Sequence, residues 1–189
     1  REIRYRLDVP GTYFYFGTLK PSFDERLWLD SQLNGAIVVD PARGSPPDRV
    51  LLLSEWFHPY DDNRPFEVVS VINGAAWPAT ERLALTQGDS MRFRVINAIP
   101  LHHPMHLHGF YYRIVSRGTM SKDTPIAPAM QPIVNTDLLA PAQTMTLAFV
   151  PTTPANWPFH CHFSFHMDEV VSLSGSPRDS SAILPVAQA

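Results

Sequence analysis

The chain has 189 residues, an apolar fraction of 44% and a formal charge of −3, values ordinary for a packed globular protein of one large or two small domains. A pI near 6.2 and the lack of a basic stripe argue against nucleic acid and anionic membranes as partners. No apolar run approaches the roughly 18 residues that a membrane span requires.

The chain begins without a methionine, at a stretch that alternates like a strand already under way. This stretch is REIRYRLDVP at residues 1–10. We therefore expect the chain to be a processed, nicked or truncated product whose preceding residues are elsewhere.

Short apolar segments separated by turn residues follow one another along the chain, with 19 prolines and no lasting helical period. This pattern predicts an all-β sandwich. The predicted strands are 12–16, 36–39, 50–56, 68–72, 81–85, 90–97, 110–116, 144–151 and 157–160. Several of them alternate polar and apolar residues, as MRFRV at 91–95 does, which suits a sheet with one buried face.

The strongest break in the pattern is the segment 40–48, DPARGSPPD, which is rich in proline and small residues. It predicts a boundary between two units. Residues 1–45 are then the C-terminal part of a first domain, and residues 46–174 have the size of a complete sandwich. Residues 175–189 are predicted to be a flexible tail, since they are rich in Ser, Pro and Ala.

Seven of the eight histidines fall into two clusters, HHPMHLHG at 102–109 and HCHFSFH at 160–166, and the second contains the only cysteine. A lone histidine such as His58 is more often structural than a ligand, whereas this grouping indicates metal binding. Zinc is the competing metal because it accepts His and Cys readily. It explains the clusters poorly, since a structural zinc site needs only four ligands.

The alternation of side chains on a strand sorts the candidate ligands into two groups. One face would carry four imidazoles, those of His106, His108, His160 and His162. The opposite face would carry Cys161, where His103 and His166 can meet it. Two histidines and one cysteine are typical of a blue copper electron-transfer site. Because Cys161 is covalently bonded to its neighbours, an electron there would have a short route to metals on the other face.

The motifs HHPMHLHGF and FHCHFSFH resemble the two C-terminal copper motifs of the multicopper oxidases, which include laccases, ascorbate oxidases and bilirubin oxidases. The resemblance covers about residues 48–171, with a weaker match over 11–41. It implies a cupredoxin-like Greek-key β-sandwich with type 1 copper on His103, Cys161 and His166. It also implies type 2 copper on His106, and the type 3 pair on His108, His160 and His162.

The resemblance implies a function as well. A small reducing substrate, such as a phenol, an aromatic amine or a metal ion, would lose single electrons at type 1 copper, and dioxygen would become water at a trinuclear cluster. The entry point would be His103 or His166, whichever has its imidazole edge nearer the surface. Such an enzyme suits a periplasmic or extracellular setting. The alternative is a non-catalytic electron-transfer or copper-binding module; a copper nitrite reductase has no need for paired His-x-His motifs.

The N-terminal part departs from the family pattern. GTYFYFGT at 11–18 resembles the first-domain motif that ends in His-x-His, but Phe16 and Thr18 stand at the ligand positions, and the first-domain His-x-His-Gly motif is absent. A complete trinuclear cluster in this family takes eight histidines, and this chain supplies four. Another chain or domain would supply the rest, or only type 1 copper binds.

Smaller departures concern single positions. Val171 stands where a weak axial ligand often lies, ten residues after Cys161, and Met167 is expected to pack. An apolar axial residue should raise the reduction potential. Ala142 and Ala155 replace glycines that are usual in the family's turns. Asp137 is either a hydrogen-bond acceptor for a ligand imidazole or a turn residue.

Overall fold

A computed structural model of the chain describes residues 2, 4, 6–19, 22–27, 33–58, 67–163, 166 and 171–172. In this part of the chain strands predominate, and helix is limited to two short 3-10 turns, Asp24–Leu27 and Pro128–Met130. The prediction of an all-β fold is therefore confirmed. No helix within the described ranges is long and apolar enough to cross a lipid bilayer.

Thirteen strands are present in the described residues. They are β1 Gly11–Phe16, β2 Asn34–Val39, β3 Asp48–His58, β4 Glu67–Ile72, β5 Met91–Asn97, β6 His103–Leu107, β7 Tyr112–Thr119, β8 Asp123–Pro125, β9 Ile133–Val134, β10 Thr136–Leu139, β11 Gln143–Phe149, β12 Phe159–Cys161 and β13 Val171–Ser172.

The predicted strand at 81–85 is wrong, because these residues form no strand. Their alternation still has a physical meaning, since Leu83 and Leu85 pack against the main core. These two leucines are half-buried although the backbone of 81–85 pairs with no strand in the described part of the chain. Every other predicted strand overlaps an observed one.

The strands form a sandwich of one large and one small sheet. The large sheet has eight strands, in the order β13-β4-β3-β5-β11-β7-β8 with β9 beside β7, and only its β3–β5 pair is parallel among the described pairings. The small sheet has the order β10-β6-β12 and is antiparallel. Apolar side chains from both sheets fill the space between them, including Leu53, Val95, Met105, Tyr112, Leu139 and Leu147.

The N-terminal piece packs on the other side of the large sheet. Its strands β1 and β2 pair with each other, and Phe14 contacts Ile96 and Ala98, which alternate with the residues of the main core. The fully buried Arg26 donates hydrogen bonds to the carbonyl oxygens of Gly17, Leu33 and Ala98. This piece is thus attached to the sandwich on the face away from the small sheet.

The segment between β2 and β3, where the domain boundary is predicted, is held by the buried guanidinium of Arg94. That group donates hydrogen bonds to Asp40 at 3.3 Å and to Asp48 on the far side of the loop, and to the hydroxyl of Thr12 at 2.9 Å. The division into 1–45 and 46–174 stays a prediction, and the predicted tail at 175–189 lies outside the described residues.

Candidate metal centre

The small sheet positions the two histidine clusters next to each other. Strands β6 and β12 are antiparallel neighbours, with His106 opposite His160 and Met105 opposite Cys161. Along β6 the residues His103, Met105 and Leu107 are buried, whereas those between them are half-buried. Alternation therefore gives the sheet an inner face toward the core and an outer face.

The inner donor set consists of His103, Cys161 and His166, whose ligand atoms all lie within 4.8 Å of one another. The Sγ of Cys161 is 3.2 Å from Nδ1 of His166. The rings of His103 and His166 stack with their centroids 4.4 Å apart. Within the described residues the buried Nε2 of His103 has no hydrogen-bond partner. The donor types and their convergence fit a trigonal His2Cys copper site.

Burial determines the protonation of the inner set. It lowers the pKa of His103 to about 3, with further contributions from His166 and His102, and lowers the pKa of His166 to about 4. Both imidazoles are therefore neutral near pH 7, which is the form that binds metal. Burial also raises the pKa of the Cys161 thiol. A metal ion bound there must displace the thiol proton.

The outer donor set consists of His106, His108 and His160, whose ligand atoms also lie within 4.8 Å of one another. The Nε2 atoms of His108 and His160 are 3.0 Å apart. His162 borders this set, with its ring centroid 5.2 Å from that of His106 and its ring stacked on that of His160 at 5.9 Å. The structure therefore brings three of the four predicted outer imidazoles to one point.

Hydrogen bonds fix which nitrogen of the outer histidines faces that point. Nδ1 of His106 is 2.9 Å from the carbonyl oxygen of Asn135 and 2.6 Å from the hydroxyl of Thr136. Nδ1 of His160 is 2.8 Å from the carbonyl oxygen of Cys161. A carbonyl oxygen only accepts, so Nδ1 carries the proton in both rings and the lone pair is on Nε2. Burial also lowers the pKa of His106, and the neighbouring imidazoles lower it to a smaller extent.

The residues that orient His106 differ from the one the sequence suggested. Asp137 accepts hydrogen bonds from Arg117 and from the backbone N–H of Leu138, and among the described residues no ligand imidazole donates to it. Asn135 and Thr136 take that role because β10 pairs with β6, with Thr136 opposite His106. The local sequence carries no signal for this long-range pairing.

A second feature fixes the backbone at His108. Its N–H donates to the carbonyl oxygen of Pro158 at 3.0 Å. Gly109, with φ +78°, lies under the Trp157 indole, and a Cβ there would come within 2.4 Å of the ring. Glycine is required on both counts. The chain just before β12 therefore holds His108 beside His160.

Each donor set adjoins an open depression. The one at the inner set has a volume of about 310 Å³ and is lined by Leu101, His102, Leu138, Phe163 and His166. The one at the outer set has about 220 Å³, and its lining includes His106, His108, Gly109, Tyr111 and Asn135. Both sets are therefore next to space that a small molecule can enter.

The remaining predicted positions lie either away from both donor sets or outside the described residues. Phe16 is on the far side of the large sheet, where the Arg26 guanidinium lies 4.6 Å from its ring centroid. The backbone of Val171 pairs with Val68 in β4, and its side chain lies outside the described residues, as do Met167 and the side chain of His58.

Comparison with known proteins gives a consistent result. Residues 45–174 match the family model described as Multicopper oxidase. A laccase of Pycnoporus cinnabarinus is 32% identical over 94 residues, which cover 49% of this chain and 18% of that protein. An oxidoreductase of Aspergillus fumigatus, tpcJ, is 34% identical over 82 residues, which cover 41% of this chain and 13% of that protein. The match thus spans less than a fifth of these curated relatives.

Two solved structures share the fold. A blue copper oxidase from Nitrosomonas europaea superposes with a TM-score of 0.68 at 22% identity, covering 84% of this chain and 51% of that chain. The multicopper oxidase mgLAC gives a TM-score of 0.66 at 18% identity, covering 92% and 59%. Together with the two-sheet sandwich described above, these likenesses establish the cupredoxin-like fold of the chain.

Proposed function

Since this chain belongs to the multicopper oxidase family and is laccase-like, we propose that it is the copper-binding part of an oxidase. The oxidase removes single electrons from phenols, aromatic amines or metal ions and reduces dioxygen to water. The observation that carries the proposal is the pair of donor sets on opposite faces of one sheet, joined by the peptide bond between His160 and Cys161. A periplasmic or extracellular location fits this chemistry.

The residues proposed for each copper are those that the family's copper motifs imply, and the two faces of the sheet support their division into an inner and an outer group. His103, Cys161 and His166 would hold type 1 copper, and their donor types and mutual distances fit it. His106 would hold type 2 copper, and His108, His160 and His162 the type 3 pair. Bound copper supplies the one-electron redox chemistry at the inner set and the oxygen-reducing chemistry at the outer one. At the inner set the protein supplies two neutral imidazoles and a half-buried thiol, and the sheet fixes the spacing between the two sets.

The depression beside His166 supports an electron entry point there. His103 is 2% exposed, whereas His166 is half-buried and lines the depression, so the ring of His166 is the more accessible of the two, although its Nε2 atom is buried. Leu138 and Phe163 give this depression an apolar wall. An aromatic ring can lie against that wall with its hydroxyl or amine directed at the imidazoles. A reducing substrate bound in this way would be in van der Waals contact with a type 1 ligand.

The outer set requires a partner to become a trinuclear cluster. The chain supplies four imidazoles on that face, and the segment that resembles a further ligand motif has Phe16 and Thr18 at the ligand positions. Phe16 packs with Phe23 and Arg26 across the large sheet from the histidines. We propose that another chain or domain, carrying the missing His-x-His motifs, docks on the outer face.

The alternative is a non-catalytic type 1 electron-transfer or copper-binding module. The replacement of histidine at Phe16 and Thr18 favours it, because a chain without a partner has only half of the cluster ligands. Such a module would show the intense absorption of a copper thiolate without a type 3 band.

The test is oxygen consumption by the copper-loaded native assembly, with copper counted by EPR. The proposal expects oxygen uptake with an easily oxidised phenol, together with type 1, type 2 and EPR-silent type 3 copper. A fully loaded assembly that consumes no oxygen with any such phenol would overturn the oxidase and leave the module. Cys161→Ser is the matched variant, which should lose both the colour and the oxygen uptake.

A further inference from the structure

The loop between β5 and β6, residues 98–102, carries the chain from the large sheet to the first inner ligand, His103. We infer that Asn97 and Arg26 are positioning residues of the inner donor set. They hold the loop from two sides and thereby fix His103 relative to Cys161. The inference rests on the inner copper site of the proposed function. It goes beyond that function because it gives the N-terminal piece a part in shaping the site.

Asn97 closes the loop on itself. Its side chain is fully buried, and its Nδ2 donates to the carbonyl oxygen of Leu101 at 2.6 Å. Its Oδ1 accepts a hydrogen bond from the backbone N–H of Ile99 at 3.1 Å. An amide that is bonded through both its oxygen and its nitrogen is held in one orientation. Asn97 therefore fixes the course of the backbone up to the second residue before His103.

The same side chain also reaches the strand that pairs with His103. Nδ2 of Asn97 lies 3.2 Å from the carbonyl oxygen of Leu139 and 3.1 Å from that of Ala140, at the end of β10. Leu139 is the partner of His103 in the pairing of β10 with β6. One buried amide thus contacts the backbone on both sides of this ligand, along the chain and across the sheet. Because a buried carbonyl oxygen without a donor is costly, these contacts oppose a shift of the loop away from β10.

Arg26 holds the other end of the loop. This fully buried side chain of the N-terminal piece donates from Nη1 to the carbonyl oxygen of Ala98 at 3.0 Å. The N–H of Ala98 donates to the carbonyl oxygen of Leu53 in β3 at 3.2 Å. The guanidinium is itself held by the carbonyl oxygens of Gly17 and Leu33. Since hydrogen bonds from a charged donor are stronger than neutral ones, the N-terminal piece anchors the loop at its first residue.

Anchoring of the backbone is important for His103 because one nitrogen of its ring has no anchor. Nε2 of His103 is buried and has no hydrogen-bond partner among the described residues. A functional metal site requires its ligands to be held within about 0.5 Å of the productive geometry. A displaced loop would change the distance between His103 and the Cys161 sulfur, and with it the electronic properties of the copper thiolate.

The first measurement uses NMR of the metal-free chain. Asn97→Ala removes the acceptor of the Ile99 N–H, so hydrogen exchange of this amide should become at least about tenfold faster. Arg26→Gln should accelerate the same exchange, because the loop loses its charged anchor. In both variants the imidazole signals of His103 should shift, whereas those of His108 in the outer set should stay unchanged.

The second measurement uses the copper-loaded chain, whose thiolate absorption and EPR hyperfine splitting report the geometry of the inner site. Both quantities should shift in Asn97→Ala and Arg26→Gln while the absorption band is retained. The matched control is Asn73→Ala, since the Asn73 side chain likewise bonds two backbone groups, those of Val50 and Leu52 in β3. This control should lower the urea midpoint of unfolding and leave every inner-site readout unchanged.

Circular dichroism checks that each variant folds. If Asn97→Ala or Arg26→Gln does not fold, Asn97→Ser and Arg26→Lys, which each keep a hydrogen-bond donor, should give smaller shifts in the same direction. Unchanged His103 signals and unchanged copper spectra in the folded variants would overturn the inference. A wild-type chain without a thiolate band would instead contradict the inner copper site of the proposed function, and the NMR measurement would still decide whether the loop positions His103.

Discussion

The two faces of the small sheet carry histidines from the same strands, yet they are different environments. On the inner face His103 is 2% exposed and burial lowers its pKa to about 3. On the outer face His108 is exposed, and His106 is oriented by the polar groups of Asn135 and Thr136. Because neighbouring residues of a strand point to opposite faces, a shift of one residue separates the inner donor set, called here the dry set, from the outer donor set, the wet set. Both sets nevertheless adjoin a depression that a small molecule can enter.

The largest effect should come from removing the only sulfur donor of the dry set. In the copper-loaded chain Cys161→Ser should abolish the intense visible absorption completely, because that band requires a copper thiolate. The outer set should still bind copper, giving an EPR signal without the small hyperfine splitting of type 1 copper. Visible absorption and EPR of the same sample check both statements. Retention of the colour would show that Cys161 is not the thiolate ligand.

The second prediction tests whether the core of the metal-free chain excludes water around a buried carboxyl group. Glu55 continues the alternation of Leu51 and Leu53 on β3, is 1% exposed, and has its pKa raised by burial to about 7. A carboxyl with a raised folded pKa stabilises the protein at low pH, and this stability is lost as the pH rises from about 4.5 to about 7. Glu55→Gln removes that loss. The free energy of unfolding of the Glu55→Gln variant, relative to that of the wild type, should therefore rise by about 2 kcal/mol between pH 5 and pH 8.

Urea unfolding of the metal-free chain at the two pH values measures this difference. The control is Glu81→Gln at a carboxylate that is 54% exposed, for which a change within about 0.5 kcal/mol is expected. A difference between Glu55→Gln and wild type that stays constant from pH 5 to pH 8 would contradict a carboxyl buried in a dry core.

The third effect concerns the orientation of the wet set. Thr136→Val removes the hydroxyl that lies 2.6 Å from Nδ1 of His106, while the carbonyl of Asn135 remains. We expect the Zn²⁺ affinity of the outer set to fall about tenfold, since partners behind a ligand imidazole typically contribute this much. Calorimetry compares it with Thr124→Val, an exposed strand threonine on β8. Equal Zn²⁺ affinities for the two variants would show that the Thr136 hydroxyl does not orient His106 for metal binding.

The smallest effect tests the attachment of the small sheet to the large one. The hydroxyl of the buried Tyr112 donates to the carbonyl oxygen of Met105 at 2.9 Å, on the inner side of β6. Tyr112→Phe should lower the free energy of unfolding by about 1 kcal/mol, because a buried hydrogen bond is lost. Its neighbour Tyr111 is 69% exposed, so Tyr111→Phe is the control in the same urea experiment. Indistinguishable midpoints for the two variants would count against the bond.

The separation of the two donor sets could be predicted from sequence because it depends only on strand alternation. His103 and Cys161 on one side, and His106, His108 and His160 on the other, are where that alternation puts them. The orienting residue Thr136 could not be found in this way, since it reaches His106 only through the pairing of β10 with β6, 30 residues apart in sequence.

The error at 81–85 has a related cause. An alternating pattern reports which side chains are half-buried, and Leu83 and Leu85 are indeed packed on the core. It does not report whether a neighbouring strand is available for hydrogen bonding. The same holds for Phe16, whose contact with Arg26 depends on the fold of the segment after β1.

The guanidinium of Arg94 has a consequence for how the chain tolerates cleavage. It bonds Asp40 at one end of the loop between β2 and β3, and Asp48 at the other. A protease that cut the loop at 41–47 would therefore leave both new ends bound to the same side chain. The N-terminal piece would also keep its apolar contacts with the face of the large sheet that points away from the small sheet. Two polypeptides would then migrate separately on a denaturing gel yet elute together as one particle from a sizing column.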